Sequence, residues 1–287
     1  MRDLNYQLKE LQKTHKEGSF GTRHARKMIL NQTADTLHEL GYKALRADTL
    51  KSRHVDAVVK HWTEQGLSPG TVKNRMSHMR WWAQKIGKPA IVARSNDHYA
   101  IERRVYVTGV DKSRHLDGDK LDSVTDQYTT LSLKLQEAFG LRREEAIKFS
   151  PSYADKGDKI TLKASWTKGG KARDIPIRNE EQRKVLDEVR RFAGKGAMIP
   201  SNKNYVQQLR TYERNTLKAG LDKNHGLRHA YAQQRYQELT GWPCPALGGP
   251  KRRDLESGLK ETDQEARLTV SRELGHERVA VVAIYLA

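Results

Sequence analysis

Two apolar stripes at helical spacing constrain this chain most: Val55, Val58, Val59 and Trp62 recur at i, i+3, i+4 and i+7, and Val72, Met76, Met79, Ala83 and Ile86 form a second set. One-faced helices of this kind are stable only when the faces pack together. Upstream, residues 3–16 and 22–40 read as two further helices, so the first ninety residues are expected to form a bundle of about four. Ser68 is placed to cap a helix whose first residue is Pro69, and Gly66 and Gly87 mark the ends of neighbouring helices. Lys73, Arg75, Arg80 and Lys85 fall on or near the outward faces of the last helix, and are candidates for contact with an anionic partner.

From Gly87 to Arg114 no periodicity is sustained and basic residues are frequent, Arg103 and Arg104 among them, which predicts an interdomain linker. A second helical region follows at 117–148. Ile160, Leu162, Ala164 and Trp166 then alternate as a strand does, a Lys-Gly-Gly-Lys turn intervenes, and a short strand runs through Ile175 and Ile177. Helices resume near Asn179, and the Pro- and Gly-rich stretch from Trp242 to Ser257 reads as a loop before a last helical region. The expected organisation is mainly α with a small antiparallel β-sheet: a helical domain over 1–90, a linker over 91–114 and a mixed α/β domain over 115–287. A chain of 287 residues is long enough for two cores.

Lys and Arg number 53 against 35 Asp and Glu, a formal charge of +18, which points to a polyanionic partner. The charge is spread along the chain and not gathered on one amphipathic helix, so nucleic acid is favoured over a membrane surface. Cys244 is the only cysteine, which excludes an internal disulfide and a cysteine-based zinc cluster and suits a reducing compartment; the expected location is the cytoplasm. The N-terminus lacks the apolar core of a signal peptide, and the longest apolar run, 279–287, is too short to span a bilayer. His225 and His229 stand at i, i+4 without the glutamate of a zinc-protease helix, and no phosphate-binding Gly-Lys loop is present, so neither a metal nor another cofactor is expected.

The second half carries an ordered set of chemistry-bearing residues. Gly140-Leu141-Arg142 is followed three residues later by Glu145; Lys168 sits on the turn between the strands, with Lys171 as its neighbour and competitor. His225-Gly226-Leu227-Arg228-His229 opens a helix, and Leu274-Gly275-His276 precedes Tyr285. In order and local context these residues resemble the tyrosine recombinase (phage integrase) family, of the mobile-element type: its Gly-x-Arg-x-x-Glu box, hairpin lysine, His-x-Leu-Arg-His box and terminal Leu-Gly-His with a following tyrosine. The resemblance is close in the catalytic half, and in the N-terminal half the bundle is similar to the family's core-binding domain. Arg143 competes with Arg142, and the family's register favours Arg142. The segment between Arg228 and His276 is longer than in simple members and includes Lys251, Arg252 and Arg253.

The resemblance implies a site-specific recombinase that needs no cofactor and cuts DNA through a 3′-phosphotyrosine on Tyr285. Arg142 and Arg228 are then assigned to the scissile phosphate, because guanidinium groups stay charged and bind phosphate oxygens in pairs. His225 and His276 supply donors and move protons, Lys168 protonates the leaving 5′-oxygen, and Glu145 and His229 support the site. Lys73, Arg75, Arg80, Lys85, Arg103, Arg104 and Lys171 are the expected contacts to double-stranded DNA. The family also implies a homotetramer on two DNA sites, a monomer without DNA, and accessory DNA-bending or directionality proteins. Two other readings share the residues: a type IB topoisomerase-like activity that relaxes DNA, and a DNA-binding protein that keeps the fold without the chemistry.

Overall fold

Helix starts in the first half are set by side-chain caps. The Ser19 Oγ accepts from the Thr22 amide at 3.2 Å, and the Ser68 Oγ accepts from the Thr71 amide at 3.3 Å with Pro69 in the first helical position. The computed structural model describes residues 3–276 and 278–287. Four helices form the first half: α1 (Asp3–Thr14), α2 (Phe20–Glu39), α3 (Ser52–Glu64) and α4 (Pro69–Lys85). The stripes read from the sequence are its core: Val55, Val58, Val59 and Trp62 of α3 and Val72, Met76, Met79 and Ala83 of α4 are buried together with Leu8, Leu30 and Leu37. Trp82 is buried too, and its Nε1 donates to the Ala47 carbonyl at 2.9 Å.

The chain divides into two compact units, Met1–Val105 and Tyr106–Ala287. The expected linker therefore begins later than residue 91. Short 3₁₀ turns occupy Pro89–Ile91 and Asp97–Tyr99, and Val92 and Ile101 are buried in the first core; residues 102–110 are exposed coil. That packing also engages the cations expected on or near the outward faces of α4, which are all half-buried. Arg80 donates to the Ala93 carbonyl at 3.0 Å and to Asn96 at 2.8 Å, Lys85 pairs with Glu17, and the Arg75 guanidinium lies 5.1 Å from the centre of the Trp62 ring. Lys73 is half-buried, and the solvent-facing positions of α4 are Thr71, Asn74, Ser77 and Gln84.

The second unit runs α5 (Gly118–Asp122), α6 (Gln127–Phe139), α7 (Arg143–Ile147), α8 (Pro151–Ala154), β1 (Lys159–Leu162), β2 (Arg173–Pro176), α9 (Glu180–Ala193), α10 (Tyr205–Lys218), α11 (His225–Thr240), α12 (Ser257–Glu273) and α13 (Val279–Leu286). The strands pair antiparallel with Ile160 opposite Ile175. The first strand stops at Leu162, short of the expected end at Trp166: Ala164–Trp166 is a 3₁₀ turn that buries Trp166 against Phe149 and Tyr153. The turn bearing Lys168 is thus a longer loop, 163–172.

Helix α11 runs through the middle of this unit against α6, α12 and α13, with Tyr231, Ala232 and Tyr236 buried beside Leu131, Leu135 and Phe139. Gly140 ends α6 at φ +60°, and a β-carbon there would lie 2.6 Å from the Tyr231 ring, so only glycine lets the chain turn here toward Arg142. The 242–257 stretch is irregular as expected, with 3₁₀ turns at Pro245–Leu247 and Arg252–Asp254, and it seals Cys244 completely. Arg252 is tied to the buried Asp263 at 3.0 Å. No helix among the described residues is long and apolar enough to cross a membrane.

Candidate active site

Arg142 is the cap residue of α7, and Glu145 folds back on it. One carboxylate oxygen accepts from the Arg142 amide at 2.7 Å, and the other accepts from Arg142 Nη1 at 2.8 Å. Glu145 has no exposed surface. Burial pushes its carboxyl up, but the hydrogen bonds and charge of Arg173, with Arg228 and Arg142, overcome this and hold it at about 2.

One turn into α11, Arg228 is 1% exposed, and each of its three nitrogens has a partner. Nη1 reaches the Gly140 carbonyl at 2.5 Å, Nη2 reaches the Leu274 carbonyl, and Nε points at the Tyr285 hydroxyl at 3.4 Å. Burial lowers this guanidinium to about 10, so it remains charged at neutral pH. Tyr285, on α13, is 6% exposed, and Gln233 of α11 donates to its carbonyl at 3.1 Å. His276 lies in the turn after α12, with Ser271 donating to its carbonyl at 3.1 Å, and its Nε2 is 3.3 Å from the Tyr285 hydroxyl and 3.5 Å from Arg228 Nη2.

An arginine can only donate, so the Arg228 contact asks for a bare Nε2 on His276 with the proton on Nδ1. Burial, then the charges of Arg228, Arg142 and Arg173, lower His276 to about 4, which keeps it neutral at pH 7, with its bare Nε2 able to accept a hydrogen bond from the phenol. His229 is also lowered to about 4, by burial and then by His225, and its ring centre is 4.6 Å from that of Tyr285. His225, exposed at the helix start, is lowered by desolvation of its packed face and by Arg228, with its ring 6.1 Å from Tyr285.

The fold thus brings Arg142, Glu145, His225, Arg228, His229, His276 and Tyr285 into one place. Lys168 stays exposed on its loop, outside this hydrogen-bonded group, and Lys171 is exposed nearby. Sequence reasoning missed Arg173, whose guanidinium grips Glu145 at 2.8 and 2.7 Å. In the first unit, Arg103 and Arg104 line a groove with Ser68, Gly70, Thr71 and Asn74 at the start of α4. A second basic groove, also unforeseen, lies between α1 and α2, lined by Lys9, Lys16, Arg23, Arg26 and Lys27. Arg26 there is buried, and among the described residues its Nε has no hydrogen-bond partner. Among the described residues no cluster of three or more His, Cys, Asp or Glu is placed to hold a metal ion.

Comparison with protein families matches residues 1–92 to the phage integrase N-terminal domain and residues 106–234 to the integrase domain. The chain belongs to the phage integrase family. Its fold is that of the tyrosine recombinases. Lambda integrase, solved as a dimer bound to a COC′ core site, is similar over 99% of this chain and 95% of its own, with 13% identity and a TM-score of 0.62. XerH site-specific recombinase bound to its difH substrate is similar over 99% of this chain and 81% of its own (17% identity, TM-score 0.57). The Tn1549 transposon integrase in complex with circular intermediate DNA is similar over 100% and 96% (12% identity, TM-score 0.57). Comparison with the curated proteins returned no match. The integrase match stops at residue 234, so His276 and Tyr285 enter the site through the fold and not through the family match.

Proposed function

We propose that this integrase-family chain is a site-specific DNA recombinase that cleaves and rejoins strands through a 3′-phosphotyrosine on Tyr285. The observation that carries the reading is the Tyr285 hydroxyl, set 3.4 Å from Arg228 Nε and 3.3 Å from His276 Nε2 by three separate elements. A phenol is protonated at neutral pH and attacks phosphorus only if something receives its proton; neutral His276 is placed to do so. The phosphoryl oxygens gain charge in the transition state, and Arg142, Arg228 and His225 surround the position where they would sit. The Tyr285 oxygen forms a bond to phosphorus while the bond to the 5′-oxygen breaks. The leaving oxygen takes a proton from Lys168, which is exposed on the loop between the strands. The phosphotyrosine keeps the broken bond's energy, so a second DNA end reseals it without ATP.

The fold's likeness to recombinases solved on DNA, one of them a lambda integrase tetramer on a Holliday junction, supports double-stranded DNA as substrate and four protomers on two sites as the working assembly. Likeness to lambda integrase and to a transposon integrase supports integration or excision of a mobile element as its task. The deciding experiment offers nicked DNA carrying candidate sites to the protein and to Tyr285→Phe, then separates products on a denaturing gel. A covalent adduct formed by the first and absent from the second is the expected result. Equal DNA affinity with no adduct from either protein would leave a DNA-binding protein with an idle site.

A further inference from the structure

We propose that Arg173 is a positioning residue that locks the Arg142 side of the site to the His276 side; this rests on the recombinase reading above. Arg173 begins β2 with a side chain 8% exposed. Its two terminal nitrogens take both oxygens of Glu145, at 2.8 and 2.7 Å, and its Nε takes the Glu273 carbonyl at 2.9 Å. Glu145 in turn holds the amide and the guanidinium of Arg142.

The other end of this chain of contacts is the C-terminus of α12, where carbonyls lack helical partners. Two successive ones are each met by a guanidinium: Glu273 by Arg173 and Leu274 by Arg228. His276 follows two residues later, so its turn is gripped from both sides. Gly275 records the closeness of the grip. A β-carbon there would stand 2.9 Å from Arg173 Nη1 and 3.0 Å from its Cδ, at φ +67°. The glycine between Leu274 and His276 is therefore demanded by the arginine passing beneath it. Arg173 also anchors the strand that leaves the Lys168 loop. A lysine could keep the charge but not the two-pronged hold on Glu145 together with the third bond.

The test compares wild type, Arg173→Met and Arg173→Lys in single-turnover cleavage of nicked DNA whose scissile group is either the phosphodiester or a neutral methylphosphonate. DNA affinity is measured alongside, and Arg173→Lys is the second variant should Arg173→Met lose its fold. A guanidinium displaced by about 1 Å costs about 10²-fold, and both variants should slow by about that factor on the phosphodiester with affinity unchanged. The deficit should narrow on the methylphosphonate, which asks less of Arg142. Wild-type rates, or an equal deficit on both substrates, overturn the proposal.

A DNA-free readout separates this outcome from failure of the recombinase reading: the Nε–H signal of Arg142 and the ring signals of His276 should both move in the variants. If wild type makes no Tyr285-dependent adduct, the recombinase reading falls and these signals decide alone. Movement of both keeps the positioning role, and unmoved signals overturn it.

Discussion

Arg228 is fixed before any substrate arrives, because its terminal nitrogens already satisfy the Gly140 and Leu274 carbonyls in a buried place. The neutral histidines around it have a measurable consequence. A group whose folded pKa lies below its ordinary value loses stability as pH falls, since the unfolded chain takes up the proton first. For His276 and His229, both near 4 against an ordinary 6.5, that window runs from about pH 6.5 down to 4. Glu145, held at about 2, contributes stability above pH 4.5 that is lost only between there and 2. Urea midpoints should therefore fall without a plateau from about pH 6.5 to 2, and His276→Gln should shrink the loss above pH 4.5. If His276 serves the scissile phosphate as proposed, bound DNA should raise its titration midpoint in an NMR titration; an unmoved midpoint would put the phosphate elsewhere.

At this scale the motif residues were legible because each sits in a short local pattern. Arg173 was not: it stands in a hairpin where Lys168 and Lys171 drew the eye, and its partner Glu145 is 28 positions away. Only the folded hairpin makes the pair. Glu145→Gln removes a fully buried anion from two part-buried guanidinium groups, and should cost up to about 3–5 kcal/mol in a denaturant titration.

At the scale of elements, Gly140 and Ser68 predict different losses. Gly140→Ala puts a methyl into the Tyr231 ring at a left-handed φ and should cost about 2–4 kcal/mol, with cleavage impaired because Arg142 lies two residues on. Ser68→Ala removes one cap and should cost about 1 kcal/mol with no effect on cleavage. Thermal unfolding measures both. The helices were readable from the spacing of their apolar residues because that spacing is what packs. The strand end was misread for the same reason: Ala164 and Trp166 continue the alternation while a turn, not a strand, buries the tryptophan. The partners of Arg80 and Lys85 were not legible because Ala93, Asn96 and Glu17 come from outside the helix, where no wheel drawn on α4 alone could show them.

For the whole molecule, the charge of +18 is only as useful as the cations still facing solvent. In the first unit the α1–α2 groove offers Lys9, Lys16, Arg23 and Lys27, all exposed. Replacing Lys9, Lys16 and Lys27 with alanine should weaken DNA binding and reduce the slope of log affinity against log salt by about 0.9 for each phosphate no longer neutralised. An unchanged slope would place the DNA backbone elsewhere, for instance at Arg103 and Arg104.

The buried Cys244 makes the second unit its own reporter. Burial raises its thiol above the ordinary value, and a thiol reagent meets it only when the core around it opens. With reclosing faster than the reagent, the labelling rate divided by that of an exposed cysteine is the equilibrium constant for that opening. Because the first unit has no thiol, the rate counts openings of the second unit alone, and any slowing when DNA is added measures in one number how far the substrate braces the half of the chain that carries Tyr285.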